Sequence, residues 1–562
     1  MVAIRHERGG LQTFSSILLR DSCKIKPVER ERCNSNAGPK TFGAKVRCDG
    51  VDTMLMSRRF GREEPDLTML GNYSILGRRR GLPVGGSVRV FSLSADVLSQ
   101  SCCSSLFDPV SHWTPCCQLR RPATQFLNMR RTCTWAVGVL CTLLALASGV
   151  CAQETEDDTG RKTCVIKASG TNTTDDAPAI LEAFTQCGRR GKVVFEPTTY
   201  YVNSALNVTW LDDVEIDLQG TLLWSTNISY WLANSLDVGY QNQSTAFILG
   251  GNNVRLNGDG QGTFDGNGDY WYEWIRQQAN TSNYPGRPHA LTLNGLRNSV
   301  VKGVNFLRSQ MWTLSIIYSH NVVLDSILVN NTGNRFQSSN TDGADTIRSS
   351  GIKFNNWTVY SGDDSISLKA NSTDVSITNS KFYNGLGIAL GSIGQYNDQF
   401  ETIERLKVEN CFFDNTLHAV YFKTWTDDQN GYPPNGGGGG LGFASDMSFK
   451  NLTVQGMRGA AFAISQCTRF RGAPGVGNCT NSQFQIRDIT VDSMAGTTKS
   501  SRVASLQCSA VAPCTNIGLF DVDLEFANGT AATSYLCGNA VNPQGFNCTG
   551  TPCVGGSATG EC

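Results

Sequence analysis

Histidine is scarce in this 562-residue chain, at five copies, and helical periodicity is scarcer still. The cysteines are dispersed and lack neighbouring histidines, which excludes the usual zinc arrangements. No metal or cofactor is expected. Charge of one sign is also missing overall, with 48 Lys and Arg against 48 Asp and Glu. That balance conceals a split: residues 1–152 carry 21 basic and 11 acidic groups, which leaves 27 basic and 37 acidic after Ala152. A surface near −10 does not suit nucleic acid. A polyanionic partner would have to be held by a few placed cations.

One apolar run stands out, Trp135 to Ala147, preceded by Met129-Arg130-Arg131 and followed by Val150-Cys151-Ala152. A basic start, about a dozen apolar residues and a small-x-small end form a secretory signal peptide, and the run is short for a membrane span. Signal peptides act at the N-terminus, so translation is expected to start at Met129. Residues 1–128 then read as a gene-model extension, 129–152 as the leader and 153–562 as a secreted domain. An internal anchor behind a true N-terminal domain is the alternative. Eleven cysteines follow Ala152, among which 164–187, 467–479 and 508–514 are plausible disulfides. Cys411, alone in a strand-like stretch, is expected to be a buried free thiol. Twelve N-glycosylation sequons after Ala152 suit a secreted surface.

Past one helical segment, Asp176 to Phe184, the chain is short strands punctuated by Gly and Asn. An apolar-x-apolar-x-polar pattern recurs at Val322, Ile352, Val375, Leu406, Met447, Phe484 and Ile517, at intervals of 30, 23, 31, 41, 37 and 33 residues. Repeats that cannot bury a face alone stack as a solenoid. The pattern predicts an all-β parallel β-helix, monomeric, whose open end is covered by the helix. A propeller would need hairpin-linked blades.

Three carboxylates are the chemical candidates: Asp342 in Asn340-Thr341-Asp342-Gly343-Ala344-Asp345, and Asp363-Asp364 in Ser361-Gly362-Asp363-Asp364. Asp342 precedes its next core strand by 10 residues and Asp363 by 12, which places them on neighbouring coils. Like charges that close cannot all ionise, so an acid coexists with bases, the pairing that glycosidic hydrolysis uses. Turn-capping aspartates are the bland reading for any one of them. Strand parity from Ile366 and Leu368 turns Asp363 outward and Asp364 inward, unless the chain bends. Gly385 to Gly394 is glycine-rich, so Gly387 permits close approach of a substrate chain. In Ala419-Val420-Tyr421-Phe422-Lys423, Tyr421 and Lys423 share the outward face, the one to stack on a sugar and the other to hold a uronate. His289, His320 and His418 read as structural.

At these residues the chain resembles family 28 of the glycoside hydrolases, the polygalacturonases and rhamnogalacturonases. Asn340-Thr341-Asp342 and Gly362-Asp363-Asp364 match two family motifs. Leu386 replaces the usual His, and Tyr421-Phe422-Lys423 replaces Arg-Ile-Lys. The resemblance implies a right-handed β-helix, Asp363 as general acid, Asp342 and Asp364 activating water with inversion, and Asn340 and Lys423 in the cleft. The two departures fit the fungal exo-acting subgroup. The long 41-residue interval, with Pro433-Pro434 and Gly436–Gly440, and the sequons at Asn330 and Asn371 would wall off one end of the cleft. Exo-hydrolysis of α-1,4-galacturonosyl linkages in pectin is therefore expected. A rhamnogalacturonan hydrolase, a Ca²⁺-using pectate lyase and a non-catalytic wall-binding protein are the competing readings.

Overall fold

The computed structural model describes residues 160–426, 441–468 and 481–550 apart from Asn280, Ser282 and Asn397, and gives only the backbone of several strands before residue 160. The chain divides into two compact units, Met1–Gln125 and Phe126–Cys562. In the first, strands Cys23–Pro27, Thr41–Cys48, Val51–Arg59, Asn72–Arg79 and Leu82–Arg89 pair in chain order as an antiparallel sheet. The sequence pattern predicts no regular element there. The leader-like segment 129–152 lies outside the described residues.

The second unit is the expected parallel β-helix, right-handed as strand crossovers almost always are. The middle coils carry three short strands each, and from Phe400–Asp414 onward two of the three run together as one long strand. Leu314–Ile317, His320–Asp325 and Leu328–Asn330 pair one turn later with Ala344–Ile347, Ser350–Asn355 and Thr358–Ser361. The inward positions stack into columns: Val322, Ile352, Val375, Leu406 and Met447 lie in register, as do Leu324, Phe354, Ile377, Val408 and Phe449, all buried. Period-2 alternation thus becomes a continuous core, one coil above the next.

The sequence alignment slips at one coil. Met447 and Phe449 pair with Ile489 and Val491, whereas Ile486 pairs with Ala444. Two corners of that coil hold a polar residue in the left-handed region, Asp488 at φ 57° and Ser493 at φ 67°. The repeat pattern fits the first corner as well as the second, so it locks onto the wrong one. Elsewhere the corner residues Asn356, Asn379, Asn410 and Asn451 hold φ between 53° and 56°. Asparagine tolerates that region better than most residues. Its amide also donates to the preceding coil, as Asn379 does to the Asn355 side chain at 2.8 Å and Asn451 to Asn410 at 2.7 Å.

The helix Ala177–Cys187 buries Ala177, Ile180, Ala183, Phe184 and Cys187 against the first coil. Cys187 is tied to Cys164 by a disulfide. Of the aspartates before it, Asp176 makes no capping bond to the helix with its side chain. Asp175 accepts from Ala177 N–H at 3.0 Å and Asn203 N–H at 2.8 Å, and Asp176 accepts from Ser169 N–H and Tyr201 N–H. They staple the helix to the strands. Cys508–Cys514 forms as expected, Cys537–Cys548 is a further disulfide, and Cys411 is free and buried. The 467–479 pair and the loop 427–440, with its Pro-Pro and poly-Gly stretches, lie outside the described residues.

Candidate active site

Two adjacent coils bring the acidic segments to the same sheet edge. Strands Ala344–Ile347 and Asp364–Leu368 are parallel neighbours with Asp345 opposite Ser367, and Gly343 N–H donates to the Asp364 carbonyl at 2.9 Å. The turn between the coils is cross-linked through Ser361, whose hydroxyl donates to the Thr341 carbonyl and accepts from Asp363 N–H, both at 2.9 Å. A bulge follows: Asp364 pairs with Gly387 but Ile366 pairs with Ile388. The extra residue breaks strict alternation. Ile366 and Leu368 stay in the core, while Asp364 turns to Tyr421 and Lys423. This is the bend that simple parity could not supply.

The three carboxylates converge, with one oxygen from each of Asp342, Asp363 and Asp364 within 4.8 Å of the others. Asp364 accepts from the Tyr421 hydroxyl on one oxygen and from Lys423 Nζ, at 2.8 Å, on the other. Lys423 Nζ also reaches the Tyr421 oxygen at 3.1 Å. Burial pulls the lysine down, but Asp364, Asp363 and Asp342 together outweigh it and hold the ammonium above its ordinary range. Asp363 is half-buried, and one of its oxygens accepts from the backbone and side-chain nitrogens of Asn340 at 3.2 and 3.3 Å. Burial, then repulsion from Asp364, pushes its carboxyl up to about 6. Asp342 is buried with one oxygen lacking a hydrogen-bond partner. Burial and the charges of Asp363, Asp345 and Asp364 raise it well above the carboxylate range. Three carboxyls around one lysine therefore retain a proton at mildly acidic pH, which is what a general acid requires.

Three of the residues expected to contact substrate are engaged within the protein. Tyr421 is 2% exposed and packed with Ala389, Ala460, Ala463 and Leu386, so its ring offers no face to a sugar and its hydroxyl serves Asp364. Gly387 is buried at φ 105°, and a Cβ there would lie 2.2 Å from the His418 carbonyl. The close approach it permits is that of the next coil. Asn340 spends its amide on Asp363. Leu386 and Tyr421, the two departures from the family motifs, share one small apolar cluster. His289 and His418 are buried, on Ser315 and the Ala460 carbonyl, and His320 bonds Ser350 at the surface. His289, beside Lys369 and Arg287, is pushed down to about 3 chiefly by burial and stays neutral.

Sequence reasoning passed over three charged neighbours. Asp345, at the end of the first acidic segment, and Lys369, five residues past Asp364, form a buried ion pair at 3.1 Å, with Lys369 over the Trp312 ring. Burial raises Asp345 to about 7 despite the lysine. Arg287 is fully buried; its nitrogens donate to the carbonyls of Gln310 at 2.6 Å and Ser339 at 2.9 Å. Burial lowers it to about 10, against the pull of Tyr272, Asp342 and Asp363. Asp345 and Lys369 stood three and five residues from predicted site residues, a usable signal. Arg287 carried none.

Residues 196–549 match the family model described as "Glycosyl hydrolases family 28". The chain belongs to family 28 of the glycosyl hydrolases. It is 57% identical over 426 residues to an "Alpha-L-rhamnosidase" of Aspergillus niger, covering 75% of this chain and 98% of the relative. It is 33% identical over 448 residues to a "Putative galacturan 1,4-alpha-galacturonidase A" of Aspergillus niger, covering 75% and 100%. Among solved structures, the endo-xylogalacturonan hydrolase of Aspergillus tubingensis superposes at a TM-score of 0.58 with 25% identity, covering 69% of this chain and 99% of that one. Membership makes this family 28 protein a glycoside hydrolase.

Proposed function

We propose that this family 28 enzyme is a secreted exo-hydrolase that removes terminal α-L-rhamnosyl residues from pectic chains of the rhamnogalacturonan type. The observation that carries the reading is the commitment of Lys423. The lysine nearest the three carboxylates is bound to Asp364 at 2.8 Å, and the family Arg beside it is replaced by buried Tyr421. A site whose cations are spent on its own carboxylates suits a neutral sugar better than a uronate. The rhamnosidase relative, aligned over 98% of its length, supports the same choice.

Asp363, half-buried, would donate its proton to the leaving glycosidic oxygen. Asp342 and Asp364 would hold the attacking water. A water bonded to two oxygens at about 2.8 Å spans at most about 5.6 Å, so oxygens within 4.8 Å can share one. Tyr421 and Lys423 keep Asp364 fixed for that task. The galacturonidase expected from the sequence is the second reading, favoured by the relative at 33% identity. Nitrophenyl α-L-rhamnoside and nitrophenyl α-D-galacturonide separate the two. Release from the rhamnoside, abolished by Asp363→Asn, supports the proposal, and release from the galacturonide alone sinks it.

A further inference from the structure

The corner beside Asp363 holds a cavity that the three carboxylates do not line. About 460 Å³ lies between the loop 331–338 and the corner residues Gly362, Gly385, Leu386 and Arg458, within the roughly 300–1,000 Å³ range of small-molecule sites. Two arginines face it. Arg458 is fixed to neighbouring wall residues: Nε donates to the Asn415 carbonyl at 2.8 Å, and Nη2 to those of Asn384 and Gly385 at 2.8 and 2.7 Å. Arg335 is an exposed lining residue from the loop 331–338, its guanidinium 5.9 Å from the centre of the Phe336 ring. Among the described residues neither arginine has a carboxylate partner.

We propose that this cavity receives the sugar on the leaving side of the cleaved bond and reads a uronate carboxylate through Arg335 and Arg458. The inference rests on Asp363 being the acid. The proton goes to the leaving oxygen, so the leaving sugar lies on the Asp363 side. That side is the cavity floor, where Gly362 precedes Asp363 and Leu386 N–H donates to the Asp363 carbonyl at 2.8 Å. Arg335 can present a guanidinium fork to a carboxylate, and Arg458, whose Nε and Nη2 are taken by carbonyls, adds Nη1. On this assignment carboxylate reading has moved from the strand position now held by Tyr421 to the corner. A chain alternating a neutral sugar with a uronate would meet both halves of the site.

Calorimetry on the Asp363→Asn enzyme tests this with an uncleaved rhamnosyl-galacturonate disaccharide and its carboxyl-reduced form. The uronate form should bind at least about ten-fold tighter, the scale of a charged hydrogen bond. Adding Arg335→Gln, an exposed change outside the core, should remove most of that preference, and Arg458→Lys should weaken it. Equal affinity for the two forms, or a preference intact in Arg335→Gln, overturns the assignment. Failure of the wild-type enzyme to release rhamnose would defeat the proposed function while leaving the binding result standing.

Discussion

Asp363 sits where one carboxyl is kept protonated by its neighbours, and its substitution is the sharpest residue test. Asp363→Asn removes the proton donor with little change in volume, so turnover should fall by about 10²-fold or more, the scale of general acid catalysis, while the thermal midpoint at about pH 4, where the acid is still protonated, holds. Lys423→Met leaves Asp364 facing the other carboxylates without its counter-charge; kcat should fall at least ten-fold, and turnover near wild type would deny the lysine its role. With Asp363 pushed up to about 6, kcat/KM should decline above that pH as the acid loses its proton. Stability follows the same sign. A carboxyl whose folded value lies above the unfolded value of about 3.9 contributes stability below that pH and loses it as pH rises. The unfolding midpoint should therefore drop between pH 4 and 7, as Asp363 and then Asp345, at about 7, ionise. Asp345→Asn should flatten that slope; an unchanged slope would contradict the assignment.

Elements were legible in the sequence wherever spacing alone decided them. The columns from Val322 to Met447 could be read because inward apolar residues and left-handed corner asparagines recur together. Phe484 misled because Asp488 mimics the other corner, a distinction only the pairing partners resolve. The bulge after Asp364 was hidden for a similar reason: one inserted residue leaves no compositional mark, yet it turns a carboxylate from core to site. Gly387 was legible as special but not for what. Its φ of 105° and the His418 carbonyl 2.2 Å from any added Cβ predict that Gly387→Ala lowers stability by about 2 kcal/mol or more through strain and displaced backbone. Urea unfolding would read this directly. A midpoint within experimental error of wild type would show that the coil spacing can relax.

At the scale of the molecule, a long parallel stack supplies rigidity, and the site uses it to hold three like charges within 4.8 Å. The trio was readable as a motif on two coils. Its tuning by Tyr421, Lys423 and Asn340 was not, because partners 23 to 59 residues away meet only through the coil repeat. The oxygen separation also bears on stereochemistry. Carboxyl groups about 6.5–9.5 Å apart are usual for inversion and about 5–5.5 Å for retention, so the trio is compact for the inverting reaction that the family resemblance implies. Proton NMR of the first-formed sugar should show the anomer inverted, since Asp342 and Asp364 sharing one water leave no free nucleophile; retention would recast one of them as that nucleophile. The central claim, exo-release of rhamnose by this site, is tested most directly by digesting rhamnogalacturonan and polygalacturonate in parallel and separating the products by anion-exchange chromatography. Free rhamnose should rise steadily from rhamnogalacturonan without a ladder of mid-length fragments, and galacturonate should be nearly absent from polygalacturonate. Galacturonate monomers from polygalacturonate, with no rhamnose from the other polymer, would contradict the account.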